Sequence, residues 1–175
     1  HRDLHSFPTR RSSDLHFERI LLAVDGSDEA ILASKLAIML ARQMDATLTA
    51  LYVVDTATIK ELLLSRIFID EESLEYEASL EENGKKYLHF VDELAVGKKL
   101  KVETILERGS IYGKIIELAM EKQADLIVVG GRRRGGKAGE SRDLLYSEYV
   151  RVLREAQIPV LFAKGEEIEK VFDRL

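Results

Sequence analysis

The chain has 175 residues, a formal net charge of -5 and no cysteine. This length is that of one ordinary domain, which can bury enough apolar surface to fold without disulfides or a structural metal. The lack of cysteine excludes thiol catalysis, cysteine-ligated zinc and a disulfide framework. The acidic balance disfavours general binding to nucleic acid or to anionic membranes.

The two ends of the chain differ from its middle. Residues 1–15 read HRDLHSFPTRRSSDL and have neither apolar periodicity nor the apolar core of a secretory signal. We interpret 1–15 as a non-native or disordered tail, 16–165 as one domain and 166–175 as a C-terminal helical extension. No apolar run approaches the ~20 residues that span a bilayer, so we predict a cytoplasmic protein.

Five apolar runs predict strands, because continuous apolar segments are typical of parallel strands buried on both faces. They are RILLAV at Arg19–Val24, TLTALYVV at Thr47–Val54, VETIL at Val102–Leu106, DLIVV at Asp125–Val129 and PVLFA at Pro159–Ala163.

Segments with helical spacing alternate with these strands. Ser27 is a candidate N-cap for the first helix, and Gly97 lies where a helix end favours a left-handed residue. Thr56–Ile69 has no clean period and predicts a loop or an irregular helix. The alternation predicts an α/β fold: a single-domain, open, five-stranded parallel sheet with helices on both faces. The helical segments are Ala33–Met44, Asp70–Val96, Ile111–Lys122 and Ser147–Ala156.

Ligands of open parallel sheets bind beyond the carboxyl ends of the strands, where the strand order reverses. Asp25 follows the first strand. Its carboxylate can accept a hydrogen bond from a ribose hydroxyl or help to hold a hydrated magnesium ion. The alternative is that Asp25 caps the next helix.

The loop after the fourth strand reads GGRRRGGK, from Gly130 to Lys137. Its glycines allow backbone N–H groups to approach a phosphate, and its cations add charge. Ser147 is predicted to open the next helix, whose positive end also favours an anion. A charged surface loop without a ligand is the alternative. A true P-loop is disfavoured, because Ala138 stands where that motif needs Ser or Thr.

Several segments, in order, resemble the universal stress protein family. They span Phe17 to Lys164, which is nearly the whole domain. The matching segments are FERILLAVDGSDEA, LTALYVVD, VETILERGS, IIELAMEKQADLIVVGG and SEYVRVLREAQIPVLFAKG.

The resemblance implies the strand order 3-2-1-4-5, which puts the first and fourth strands side by side. Many members bind ATP or AMP at this point, and others bind no nucleotide. In the binders an Asp matched by Asp25 touches the sugar or a metal, and a backbone position matched by Val53 holds the adenine. Members commonly dimerise through the last strand, so the resemblance implies a homodimer through the Pro159–Ala163 edge.

The phosphate motif of the family is Gly-x-x-Gly, nine residues, then Gly-Ser or Gly-Thr. Gly130 matches its first glycine, Gly136 its second and Ser147 its hydroxyl, but Tyr146 stands where the last glycine belongs. The loop is about three residues longer than usual. The basic and glycine residues Gly131, Arg132, Arg133 and Lys137 complete the predicted phosphate site.

Two functions stay open at this point. The first is an adenine-nucleotide (ATP or AMP) binding regulator of the stress response, with at most slow ATP hydrolysis and with Mg²⁺ as the accompanying ion. The second is a member that binds no nucleotide and acts as a dimeric protein-interaction module, as Tyr146 would indicate. Other enzyme chemistry lacks a recognisable nucleophile, base or metal cluster. Nucleic-acid binding lacks a broad basic surface with interleaved aromatic residues.

Overall fold

A computed structural model describes residues 16–131 and 141–175, with the backbone alone described for 141–146. Strands and helices alternate along it almost throughout. In chain order they are β1 (Arg19–Val24), α1 (Asp28–Met44), β2 (Thr47–Asp55), α2 (Thr56–Leu64), α3 (Asp70–Gly97), β3 (Val102–Gly109), α4 (Ile111–Glu121), β4 (Leu126–Gly130), α5 (Ser141–Glu155), β5 (Val160–Ala163) and α6 (Glu167–Asp173).

The five strands form one parallel sheet of order β3-β2-β1-β4-β5, which confirms the predicted fold class and strand order. β1 lies in the centre, between β2 and β4. The order reverses there, so the carboxyl ends of β1 and β4 lie side by side. β5 lies at one edge, as predicted.

Side chains of alternate strand residues pack into two separate hydrophobic cores, one on each face of the sheet. Leu22 and Val24 belong to the core that α1, α3 and α6 cover, whereas Leu21 and Ala23 belong to the core under α4 and α5. The sheet is therefore buried on both faces. This burial explains why β1 reads as a continuous apolar run rather than an alternating one.

Three local expectations are corrected by the structure. The segment after β2 forms a regular helix, α2, which Asp55 caps by accepting a hydrogen bond of 3.1 Å from the amide of Thr58. Gly97 is the last residue of α3, and the left-handed residue beyond it is Lys99, at φ +58°. Ser147 lies inside α5, which begins six residues earlier, so its amide is away from the positive helix end.

The C-terminal segment forms α6 and packs against α1. Phe172 is only 4% exposed and belongs to the core that α1 covers. α6 lies within the helical extension predicted for 166–175, where Ile168, Val171 and Phe172 have the i, i+3, i+4 spacing of a helix. No helix in the described part of the chain is long and apolar enough to cross a membrane.

Candidate functional site

A cleft of about 760 Å³ opens at the carboxyl ends of β1 and β2. Its walls come from these two strand ends and from α2, α3, α4 and α5. Three residues predicted from the sequence line it: Asp25 after β1, Val53 in β2 and Ser147 in α5. The fold thus brings together side chains that are up to 122 positions apart in the chain.

Asp25 anchors the turn between β1 and α1. Its Oδ1 accepts hydrogen bonds from the amide of Ser27 at 2.9 Å and from the Ser27 hydroxyl at 2.6 Å. Ser27 is the N-cap of α1, as predicted, and its Oγ accepts from the amide of Ala30 at 3.1 Å. Asp25 is therefore not the cap itself but the acceptor that orients the cap.

The second oxygen of Asp25 meets a residue that the sequence reading missed. The hydroxyl of Tyr149, in α5, donates a hydrogen bond of 2.9 Å to Oδ2 of Asp25. Tyr149 is only 3% exposed. Burial, followed by the charge of Asp25 and this hydrogen bond, raises the pKa of Tyr149 well above its usual value near 10. The phenol is therefore a neutral donor at physiological pH.

Two further aromatic rings lie behind Asp25. Tyr52, in β2, is 5% exposed and stacks on Tyr87 of α3, with ring centroids 6.5 Å apart. Burial raises the pKa of Tyr52 to about 12, and the charge of Asp25 adds to the effect. Gly26 has a φ of +81°, and a Cβ at this residue would overlap the Tyr87 ring. Both the conformation and the close approach therefore require glycine.

The opposite wall of the cleft joins α5 to the start of α4. Oε2 of Glu148 accepts a hydrogen bond of 3.2 Å from the amide of Tyr112. The guanidinium of Arg151 lies 3.7 Å from the Tyr112 ring centroid, and its Nη1 is 3.3 Å from Oε1 of Glu148. These contacts fasten α5 to α4 and leave a half-exposed cation at the mouth of the cleft.

The two glycines at the end of β4 have packing roles. A Cβ on Gly130 would lie 2.8 Å from the carbonyl carbon of Glu29, so β4 approaches the start of α1 closely. Gly131 donates a hydrogen bond of 2.7 Å to the carbonyl of Ala163 in β5. Neither residue lines the cleft. The remaining predicted phosphate residues, Arg132, Arg133, Gly136 and Lys137, lie outside the described residues.

A magnesium ion beside Asp25 does not fit the hydrogen bonding of this carboxylate. Three of its acceptor positions face protein donors, whose partial positive charge opposes a cation. Within the described ranges, no group of three His, Cys, Asp or Glu side chains comes together as a metal site. Direct ligation by Asp25 is thus disfavoured by the protein's own donors.

Comparison of the sequence with known proteins identifies one family. The sequence model of the universal stress protein family matches residues 16–164. The chain is 36% identical over 160 residues to universal stress protein MJ0531 of Methanocaldococcus jannaschii, covering 91% of this chain and 89% of the relative. It is 33% identical over 154 residues to universal stress protein YxiE of Bacillus subtilis, covering 85% of this chain and 99% of that relative.

Solved structures share the fold. A universal stress family protein from Burkholderia pseudomallei is 25% identical, with a TM-score of 0.63 over 85% of this chain and 96% of that one. A universal stress protein from Archaeoglobus fulgidus, solved in complex with dAMP, is 20% identical, with a TM-score of 0.57 over 84% of this chain and 98% of that one. A universal stress protein solved in complex with cAMP is 21% identical, with a TM-score of 0.51 over 85% of this chain and 98% of that one. The chain belongs to the universal stress protein family.

Proposed function

We propose that the cleft beside Asp25 binds an adenine nucleotide and that the protein acts as a nucleotide-dependent regulator in the stress response. The observation that carries this proposal is the meeting of Asp25, Val53 and Ser147 in one cleft. These residues come from three separate elements and match the sugar, adenine and phosphate positions of the nucleotide-binding members. A cleft of about 760 Å³ lies in the size range of small-molecule sites.

Each wall of the cleft has a chemistry that suits one part of such a ligand. Leu51, Ile111 and Ile115 offer an apolar surface to a flat base. Asp25 offers a carboxylate oxygen, Oδ2, to the sugar. Arg151, which the sequence did not predict as a site residue, places a positive charge at the mouth of the cleft. Its guanidinium can reach a phosphate there.

The described contacts favour a short phosphate chain. Gly130 and Gly131, expected at the phosphates, are occupied by packing against α1 and β5. Ser147 lies within α5, so it offers a hydroxyl rather than a helix N-terminus. We therefore propose AMP ahead of ATP. The ligands solved with two fold neighbours, dAMP and cAMP, also carry a single phosphate.

The test is calorimetric titration of the purified full chain, after denaturing release of any bound nucleotide has been analysed by ion exchange. AMP, ADP and ATP are titrated with and without Mg²⁺. Asp25→Asn is expected to weaken AMP binding about tenfold or more, because a hydrogen bond to a charged group is replaced by one to a neutral amide. Asp45→Asn, an exposed residue at the other end of α1, is the matched control and should leave affinity unchanged.

Two results would contradict the proposal. One is an empty protein that binds no adenine nucleotide at millimolar concentration. The other is equal AMP affinity in the Asp25→Asn variant and the natural chain. The first would favour the second function, a module that acts through protein contacts alone, and the second would mean that the nucleotide does not bind through Asp25. The three internal hydrogen bonds of Asp25 are the observation that favours this second candidate.

We also propose that two copies pair through β5. This strand lies at the sheet edge, and its backbone pairs with β4 on one side. An apolar edge strand favours pairing with a further strand.

A further inference from the structure

Most hydrogen-bond acceptor positions of the Asp25 carboxylate are filled by donors of the protein itself. An ionised carboxylate has about four acceptor positions, two on each oxygen. The amide and hydroxyl of Ser27 both donate to Oδ1, and the Tyr149 hydroxyl donates to Oδ2. At most one acceptor position, on Oδ2, therefore remains for a ligand.

The bond from Tyr149 is held in place from several directions. The side chain is 3% exposed and belongs to the core that α4 and α5 share. Glu148, its neighbour in α5, is fastened to the amide of Tyr112 in α4. Turning Tyr149 out of this core would expose an aromatic ring and leave a cavity, which is costly. Ligand binding is thus expected to take place with Tyr149 in its observed position.

We infer that Tyr149 is a positioning residue for ligand specificity, because it restricts Asp25 to at most one hydrogen bond with a ligand sugar. A ribose presents two neighbouring hydroxyls, and a free carboxylate accepts both in a bidentate manner. In this protein the second ribose hydroxyl cannot donate to Asp25, because the Tyr149 phenol already fills the second acceptor position on Oδ2. The site consequently takes nucleotides with one sugar hydroxyl nearly as well as those with two. This inference rests on the proposed nucleotide function and assigns its sugar selectivity.

The test compares three ligands that differ by single hydroxyl groups: AMP, 2′-deoxy-AMP and 3′-deoxy-AMP. In the natural chain, at least one of the two deoxy nucleotides should bind within about twofold of AMP. In Tyr149→Phe, the second acceptor position on Oδ2 becomes free. Both deoxy nucleotides should then bind about tenfold more weakly than AMP, since each lacks one of two hydrogen bonds to a charged group.

The ratio of affinities separates this role from a merely structural one. A structural defect in Tyr149→Phe would weaken all three ligands together and leave their ratios unchanged, which would overturn the inference. Tyr87→Phe is the matched control, because this ring stacks on Tyr52 outside the cleft lining, and it should leave all three ratios as in the natural chain.

If Tyr149→Phe fails to fold, the affinities of the natural chain for the three ligands still test the inference. A loss of about tenfold for both deoxy nucleotides would show that Asp25 already accepts both hydroxyls, and it would overturn the inference while leaving the proposed function intact. No binding of any of the three ligands would overturn the proposed function and this inference with it.

Discussion

Nζ of Lys35 in α1 lies 2.6 Å from Oε1 of Glu169 in α6. Lys35 is largely buried, and its ammonium also lies 5.8 Å from the ring centroid of Phe172. The ammonium of Lys98, beyond α3, lies 4.7 Å from the same ring. The carboxylate of Glu169 is exposed, so the ion pair itself stabilises the fold only slightly. The burial of Phe172 is the larger contribution and makes α6 part of the packed domain.

Phe172→Ala should lower the free energy of unfolding by about 3–5 kcal/mol, because it removes a buried aromatic ring and leaves a cavity. Urea denaturation followed by circular dichroism measures this change. Val171→Ala is the matched control, since Val171 is 46% exposed, and it should change stability by less than about 0.5 kcal/mol. Equal effects of the two substitutions would mean that α6 does not pack on α1 in solution.

Gly84→Ala should destabilise the protein, although alanine is the better helix former. Gly84 lies in the middle of α3, and a Cβ there would overlap the ring of Tyr52. Overpacking of this kind costs about 1–3 kcal/mol. Thermal unfolding in a differential scanning calorimeter measures it.

Gly97→Ala provides the comparison within the same helix. A Cβ at Gly97 meets no described atom within 4 Å, so alanine should be neutral or should stabilise α3 by up to about 1 kcal/mol. If Gly84→Ala were also stabilising, the close contact between α3 and Tyr52 would be wrong.

The sequence predicted the fold well because apolar periodicity is a local property. β1 has the predicted bounds, and Ser27 caps α1 as its position before two acidic residues indicated. The strand order came from the family resemblance and is confirmed. The sequence left the segment of α2 open between a loop and an irregular helix, because its short apolar pattern has only Ile59 buried and the periodic signal is weak.

The site was predicted only in part, because its chemistry depends on contacts between distant residues. Asp25 and Val53 stand at the ends of recognisable strands, so topology alone brings them to the cleft. The contact between Asp25 and Tyr149 joins positions 124 apart in the chain, and no local pattern marks it. A Tyr among the apolar positions of α5 was the available signal, since a buried phenol needs a polar partner.

Alkaline pH should destabilise the protein through its buried phenols. The pKa values of Tyr52 and Tyr149 are raised in the folded state, Tyr52 to about 12, whereas both are near 10 in the unfolded chain. The folded state therefore holds protons that the unfolded state releases. The stabilisation is fully present below pH 10, and the part due to Tyr52 is lost as pH rises from about 10 to about 12.

Urea midpoints at pH 8, 10 and 11, with absorbance at 295 nm to follow phenolate formation, measure this effect. Tyr52→Phe removes one of the two ionising groups and should show a smaller loss of stability above pH 10 than the natural chain. Tyr112→Phe removes a phenol that is not among the groups that raise the pKa of Tyr52, and it serves as the control. Identical pH profiles for the natural chain and Tyr52→Phe would contradict the assignment.

Pairing through β5 predicts a dimer mass in light scattering at micromolar concentration. Val160→Glu would place a carboxylate on the edge of each copy, where like charges repel, and should shift the mass toward the monomer. Leu153→Glu, which adds the same charge at an exposed position of α5, should leave the mass unchanged. A monomer mass for the natural chain, or an unaltered dimer in Val160→Glu with its circular dichroism preserved, would mean that β5 is not the interface.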